Sequence, residues 1–192
     1  LGTNASKDYA GAANVGIGLS AMHKGGGLYS TAIGFNAGYK TGNHNVSVGA
    51  YALGTTSASS AGIGNVALGY QALYLVSGAQ TADYNICIGW KAGDNIATGD
   101  NNIIIGKDLD ASSNSVSSEL NIGGQIIGSM DASDKHTKFE GQVYTETHTL
   151  SDGATITPDF KDGNVQTVTL AGNRTLANPT NPKNGATYIV IV

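Results

Sequence analysis

The first two-thirds of the chain repeat one short pattern of apolar and polar positions. Each copy holds an asparagine, an apolar–small–apolar triplet, a glycine, two variable residues and an alanine, and Asn65–Leu73 shows it most clearly. Eight copies align on their glycines, at Gly2, Gly18, Gly34, Gly49, Gly69, Gly89, Gly106 and Gly123. The glycines are spaced 15 to 20 residues apart. Self-similarity at such a period is typical of solenoid proteins.

Each triplet predicts a short β-strand whose outer two residues face one way and whose middle residue faces the other. We expect the outer apolar residues to build the core, and the small middle residues to face a closely packed surface. These middle residues are Gly16, Ala32, Ser47, Ala67 and Cys87. The glycine then ends the strand, and the alanine three residues later begins a second inward-facing segment. One copy is too short to bury a core alone, so the copies must stack as a parallel β-solenoid.

The two longest intervals between repeat glycines lie between Gly49 and Gly89. Their extra residues fall in segments 54–60 and 74–81. Inserts in solenoids project from one face, where they often form contact surfaces. The candidate contact residues are Thr55, Ser57, Tyr74 and Gln80. The alternative interpretation is that both inserts are tolerated polar bulges.

The repeat pattern weakens after Gly106, and we predict three regions in the chain. Residues 1–124 form the repeat shaft, with a degenerate last copy at Leu120–Gly123. Residues 125–140 differ in composition and are predicted to be a neck or linker. Residues 141–192 carry alternating β-type segments separated by Gly, Asn and Asp turns, which predicts a small antiparallel β module. Because its last segment runs to Val192, we expect this module to lack its final strands.

Composition excludes several classes of function. The net charge is −4 and only 12% of residues are charged, against about 25% in ordinary proteins. The basic residues are scattered singly, which argues against nucleic-acid binding. No apolar run approaches the roughly 20 residues of a membrane span, so no membrane insertion is expected. The single cysteine, Cys87, excludes an intrachain disulfide and a multi-cysteine metal site.

Catalytic and metal-binding patterns are weak. Asp83, Asp94 and Asp100 fall in inter-strand loops in similar register, where a turn-forming role is favoured over paired carboxylates for glycan cleavage. His23 and His44 lie in successive loops, and an ion site built from them about a threefold axis is less favoured. We therefore predict no catalytic residues, no cofactor, no metal and no enzymatic activity.

Several aromatic residues are expected at the surface, either stacking on sugars or packing between neighbouring coils. They are Tyr29, Tyr39, Tyr70, Tyr74 and Trp90.

The repeats resemble those of two families of fibrous protein. The phrase at Asn65–Leu73, with Ser30–Gly38, resembles the head repeats of trimeric autotransporter adhesins. It is still more similar to repeats of bacteriophage tail fibres and tailspikes, as are residues 83–93 and 98–106. The resemblance covers roughly residues 1–124 and implies a left-handed parallel β-roll that assembles as a homotrimer. In such a trimer, the small middle residues would let three rolls approach closely about an axis. The alternative is that these residues face solvent on a narrow strand.

A second resemblance lies in the C-terminal region. Val168–Gly185 is similar to a β module found near the C-termini of phage virion and tail proteins. Together the resemblances imply a virion protein: a trimeric shaft of a tail fibre or spike that supports host attachment. The implied partners are further copies of the chain, other virion tail proteins, and a host-surface glycan or protein. The alternatives are a bacterial trimeric adhesin head and, less favoured, a polysaccharide-degrading tailspike.

Overall fold

A computed structural model describes residues 2–5, 13–24, 27–40, 42–55, 62–75, 80–141, 147–184 and 186–192. The chain divides into two compact units, residues 1–141 and 142–192. The described residues of both units form strands, turns and bends without a helix, so the predicted all-β class is confirmed. The described part of the chain also contains no helix with the length and hydrophobicity of a membrane span.

The first unit is a parallel β-solenoid, as predicted. Seven short strands, one from each repeat except the first, pair in parallel and in chain order. They are β1 (Val15–Ile17), β2 (Thr31–Ile33), β3 (Val46–Val48), β4 (Val66–Leu68), β5 (Ile86–Ile88), β6 (Ile103–Ile105) and β7 (Glu119–Ile122). The repeats are in register, so Val66 pairs with Ile86 and Ala67 pairs with Cys87.

The sheet continues into the region predicted to be a neck. Strands β8 (Ile126–Ser129) and β9 (His136–Phe139) add to β7 in antiparallel order. Gly123 and Gly124 both adopt positive φ angles, of 62° and 67°, a conformation that glycine adopts without strain and that hairpin turns use. Because the chain reverses there, residues 125–140 extend the sheet instead of forming a linker.

A ladder of buried asparagines joins the coils. The side-chain oxygen of Asn45 accepts a hydrogen bond from the backbone N–H of Asn65, at 2.8 Å. Asn65 accepts in the same way from Asn85, Asn85 from Asn102, and Asn102 from Glu119. Each side-chain NH₂ donates to a carbonyl of the neighbouring coil, at Gly62, Ala82, Gly99 and Val116 in turn. These asparagines therefore hold successive coils in the same register.

Ser30 takes the asparagine place in the third repeat and makes the same contacts with a shorter side chain, its hydroxyl lying 3.5 Å from the Gly42 carbonyl oxygen. Its hydroxyl accepts from the backbone N–H of Asn45, at 3.1 Å, and its own N–H donates to the Asn14 side chain, at 2.7 Å.

The repeat glycines stack where no side chain fits. At Gly69 the φ angle is 135°, and a Cβ there would lie 2.3 Å from the carbonyl oxygen of Gly89. Such contact is far inside van der Waals distance, and the same clash occurs at Gly2, Gly18, Gly34, Gly49 and Gly89, so these glycines are required by their counterparts in the next coil. Gly106 and Gly123, in the last two repeats, do not meet this restriction.

The interior of each coil is narrow and is lined by small side chains. The alanines three residues after the glycines are fully buried, as predicted, at Ala21, Ala37, Ala52, Ala72 and Ala92. The middle residues of the strands also lie inside: Ala32, Ser47, Ala67 and Cys87 are at most 1% exposed, and Gly16 is half-buried.

The predicted assignment of the two strand faces was therefore wrong. The reason is the width of the interior: a Cβ at Gly93, on the opposite wall, would lie 2.6 Å from the Sγ of Cys87. Two rows of Val, Ile and Leu side chains do not fit in this space, so the small middle residues point inward and the larger outer residues point outward.

The second unit is also built from parallel strands. β10 (Thr147–Thr149), β12 (Val165–Thr167) and β14 (Ile189–Ile191) form one sheet, and β11 (Thr155–Ile156) pairs with β13 (Thr175–Leu176) in another. The predicted antiparallel arrangement was wrong. Consecutive strands alternate between the two sheets, so each strand pairs in parallel with the strand two places later in the chain, as β10 does with β12.

The asparagine ladder generates the first prediction. Asn85→Ala leaves the N–H of Asn102 and the carbonyl of Gly99 without their partners in a buried site, and each buried unsatisfied group costs about 1–3 kcal/mol. We expect the free energy of unfolding, measured by urea denaturation at fixed protein concentration, to fall by about 2–4 kcal/mol.

Asn85→Ser is the matched control, because serine already serves at position 30. It should retain an acceptor for the N–H of Asn102 and lose less than half as much stability. Equal losses in the two variants would contradict the ladder.

Candidate functional site

The outward face of the parallel sheet carries two aliphatic columns. The first and third residues of each triplet stack in register along β1–β7. One column is Val15, Thr31, Val46, Val66, Ile86, Ile103 and Leu120, and the other is Ile17, Ile33, Val48, Leu68, Ile88, Ile105 and Ile122. All but Thr31 are Val, Ile or Leu, and seven strands spaced about 4.8 Å apart give a strip roughly 29 Å long.

This strip is exposed to solvent in a single chain. Val15, Ile17, Ile33, Val46 and Val48 are between 36% and 48% exposed, and the aliphatic residues of the later strands are half-buried. A continuous apolar strip without a charged residue is unusual on a monomer and marks an interaction surface. This surface was not predicted from the sequence, because the apolar alternation suggested that these residues build the core.

The predicted insert residues have different environments. Thr55 is 2% exposed and forms an isolated β-bridge with Leu75. Gln80 is 1% exposed, and its side-chain NH₂ donates to the carbonyl of Leu73, at 2.8 Å. Gln80 therefore packs inside the coil, and the prediction that it forms a contact surface was wrong. Thr55 is buried as well, but it lines the cavity described below. Ser57 lies outside the described residues.

Tyr74, the fourth insert residue, belongs to a cluster of aromatic rings. The rings of Phe35, Tyr51, Tyr70 and Trp90 form a chain of contacts along neighbouring coils, with centroids 5.0–6.2 Å apart. Tyr74 packs against Tyr51 at 5.6 Å. Contacts in this range are favourable between aromatic rings. Tyr70 and Trp90 remain 39% and 51% exposed, so they both pack between coils and face solvent.

An open cavity of about 400 Å³ lies beside this cluster. Tyr39, Tyr51 and Tyr74 contribute to its wall, together with the polar side chains of Asn36 and His23. Its position could have been found from the sequence only by aligning the fifth residue after each repeat glycine, where Gly54 stands between Tyr39 and Tyr74.

The histidines that sequence analysis singled out pair with aromatic rings. The His23 ring lies 5.6 Å from that of Tyr39, and the His44 ring stacks on that of Tyr29 at 5.4 Å. Within the described residues, no three His, Cys, Asp or Glu side chains come together as a potential metal site.

Two of the loop aspartates stack between coils. Asp83 accepts a hydrogen bond from the N–H of Ile63, and Asp100 accepts one from the N–H of Asp83, both at 2.8 Å. These bonds join neighbouring coils, so the two side chains link coils instead of closing the local turns predicted for them.

The third aspartate, Asp94, pairs with Asp110. Partial burial, a hydrogen bond to Asp110 and the charges of Asp110 and Asp108 raise the pKa of Asp94 to about 6, although Lys91 opposes the shift. Asp94 therefore binds a proton at a higher pH than an ordinary aspartate, an arrangement that sequence spacing did not reveal.

Comparisons with known proteins identified no matching family, no similar curated protein and no similar solved structure.

The Asp94–Asp110 pair predicts a pH-dependent stability. The pKa of Asp94 is raised on folding, so the proton it binds stabilises the folded chain at low pH, and this contribution is lost as pH rises from about 4 through about 6. Wild type should lose stability relative to Asp94→Asn between pH 5 and pH 8 in parallel urea titrations. A stability difference that stays constant over this range would contradict the raised pKa of Asp94.

Proposed function

We propose that this chain is a structural segment of a bacteriophage tail fibre or spike, in which a homotrimeric shaft supports attachment to the host. The observation that carries the proposal is the pair of aliphatic columns on the outward face of β1–β7. A shaft needs copies that associate along its whole length, and these columns run across every parallel strand of the solenoid.

The geometry of the two columns favours three copies. In a cyclic trimer, each copy touches two neighbours through different parts of its surface. Two columns allow one to face each neighbour, and a threefold axis along the solenoid brings equivalent coils to the same height. Full burial of each aliphatic side chain contributes about 1.5–3 kcal/mol relative to exposure. Repeated along both columns, such burial can exceed the association cost of about 4–15 kcal/mol.

The assignment to a virion rests on the resemblances of the repeats and of Val168–Gly185 to phage fibre and virion proteins. The fold supports it, because a solenoid whose coils share one register is a suitable rod. The small interior, filled mainly by alanine, makes a thin coil whose larger apolar side chains are available for assembly.

A depolymerising spike is less favoured. Glycosidase carboxyl groups stand about 5 Å or more apart, whereas Asp94 and Asp110 share a hydrogen bond.

Immunogold electron microscopy tests the virion role. Antibodies against residues 1–141 should decorate the tails of purified phage particles from the source culture. Decoration of bacterial cell surfaces, with none on particles, would contradict the proposal and favour an adhesin.

Trimer formation is tested by mass. Light scattering after size-exclusion chromatography should give three times the chain mass of 19.5 kDa at micromolar concentration. The double variant Leu68→Lys/Ile88→Lys should dissociate to the single-chain mass, because it places like charges on neighbouring coils of one apolar column.

The matched control is Thr81→Lys/Thr98→Lys, which adds the same charge at two exposed residues away from the columns. It should remain trimeric. A single-chain mass for the wild-type protein would contradict the trimer.

A further inference from the structure

The cavity beside Tyr51 arises from a missing side chain in a regular column. The fifth residues after successive repeat glycines are His23, Tyr39, Gly54 and Tyr74. Three of them have rings and Gly54 has none. Coils in a parallel sheet are about 4.8 Å apart, so Tyr39 and Tyr74 are separated by two coil spacings, roughly 10 Å. The cavity of about 400 Å³ is lined by all four of these residues, and its volume falls within the range of about 300–1,000 Å³ typical of ligand sites.

The rings around this space are held in position by their neighbours. Tyr51 contacts Phe35 edge-on at 5.1 Å and Tyr74 at 5.6 Å, and Tyr39 lies 5.6 Å from His23. Tyr39, Tyr51 and Tyr74 are each half-buried, so one part of each ring is packed and another part is accessible. Tyrosine provides a large contact area at low cost in conformational entropy, and packing of this kind reduces the cost of binding further.

Polar groups lie on the same wall. Asn36 and His23 line the cavity, and both can donate and accept hydrogen bonds. Ser20, Lys40 and Thr55 also line it, and the Lys40 ammonium lies 5.6 Å from the centroid of the Tyr39 ring. The cavity therefore combines apolar ring surfaces with a small number of polar groups that can orient a ligand.

We propose that this cavity binds a saccharide. A pyranose ring presents a face of C–H groups, which suits the negative face of an aromatic ring, and a rim of hydroxyl groups, which suits the amide of Asn36. The combination fits sugar better than lipid, which would offer no hydrogen bond to the Asn36 amide. It also fits better than nucleic acid, which requires clustered cations. The inference deepens the proposed function, on which it rests, by naming a glycan as the attached molecule and this cavity as its site.

The experiment begins with the full chain on a printed array of microbial polysaccharides and oligosaccharides. The best ligand is then measured by saturation-transfer NMR with wild type and variants. Tyr74→Ala removes one wall of the cavity and should reduce the transfer at least five-fold. Gly54→Leu fills the space and should have a similar effect, and Tyr39→Ala provides a third variant if either of these fails to fold.

Tyr84→Ala is the matched control, because Tyr84 is 56% exposed and does not line the cavity. It should leave saturation transfer unchanged. Light scattering on the same samples separates this inference from the trimer: a variant that remains trimeric but does not bind locates the glycan site. A trimeric wild type that binds no saccharide on the array, or binding that survives all three cavity variants, would overturn the saccharide site while leaving the shaft intact.

Discussion

The stacked asparagines are the interaction on which the solenoid depends. Each buried side chain accepts from the backbone of the same residue in the next coil and donates to a neighbouring loop carbonyl, as Asn85 does with Asn102 and Gly99. Both ends of the amide are thus satisfied inside the protein, which a buried polar group requires. Because the contact joins equivalent positions, the strands remain in register although the repeats differ in length by up to five residues.

The narrow coil determines what the surface must carry. Small side chains such as Ala67 and Cys87 face the opposite wall from most strands, although Ile104 occupies the same place in β6. The Val, Ile and Leu residues at the first and third positions of the strands are on the outward face, and the aromatic residues lie on the turns. The two proposed activities, assembly and glycan binding, use these outward-facing groups. This relation explains how a chain with so small a core can present extensive contact surfaces.

The sequence predicted the strands, the repeat glycines and the inward alanine column, because each follows from local pattern. It did not predict which face of the strand is inside, since alternation defines two faces without identifying the buried one; the space beside Cys87 decides that. Strand direction in the second unit was also missed, because turn residues do not specify the pairing partner. The left-handed backbone conformation of bulky residues was not predictable either. Tyr51 and Leu73 have φ angles of 61° and 50°, which such residues rarely adopt and which the stacking of the coils imposes.

The most direct test of this account is the reactivity of Cys87 toward a thiol reagent in the native chain. Cys87 is fully buried, and burial raises the pKa of its thiol to about 12, so both access and thiolate formation are suppressed. We predict that Cys87 is not labelled until denaturant is added. A cysteine introduced by Thr98→Cys, at an exposed loop position, should be labelled in the native chain at the rate of an exposed thiol. Rapid labelling of native Cys87 would show that the middle residues face outward and would contradict the inward packing described for the coils.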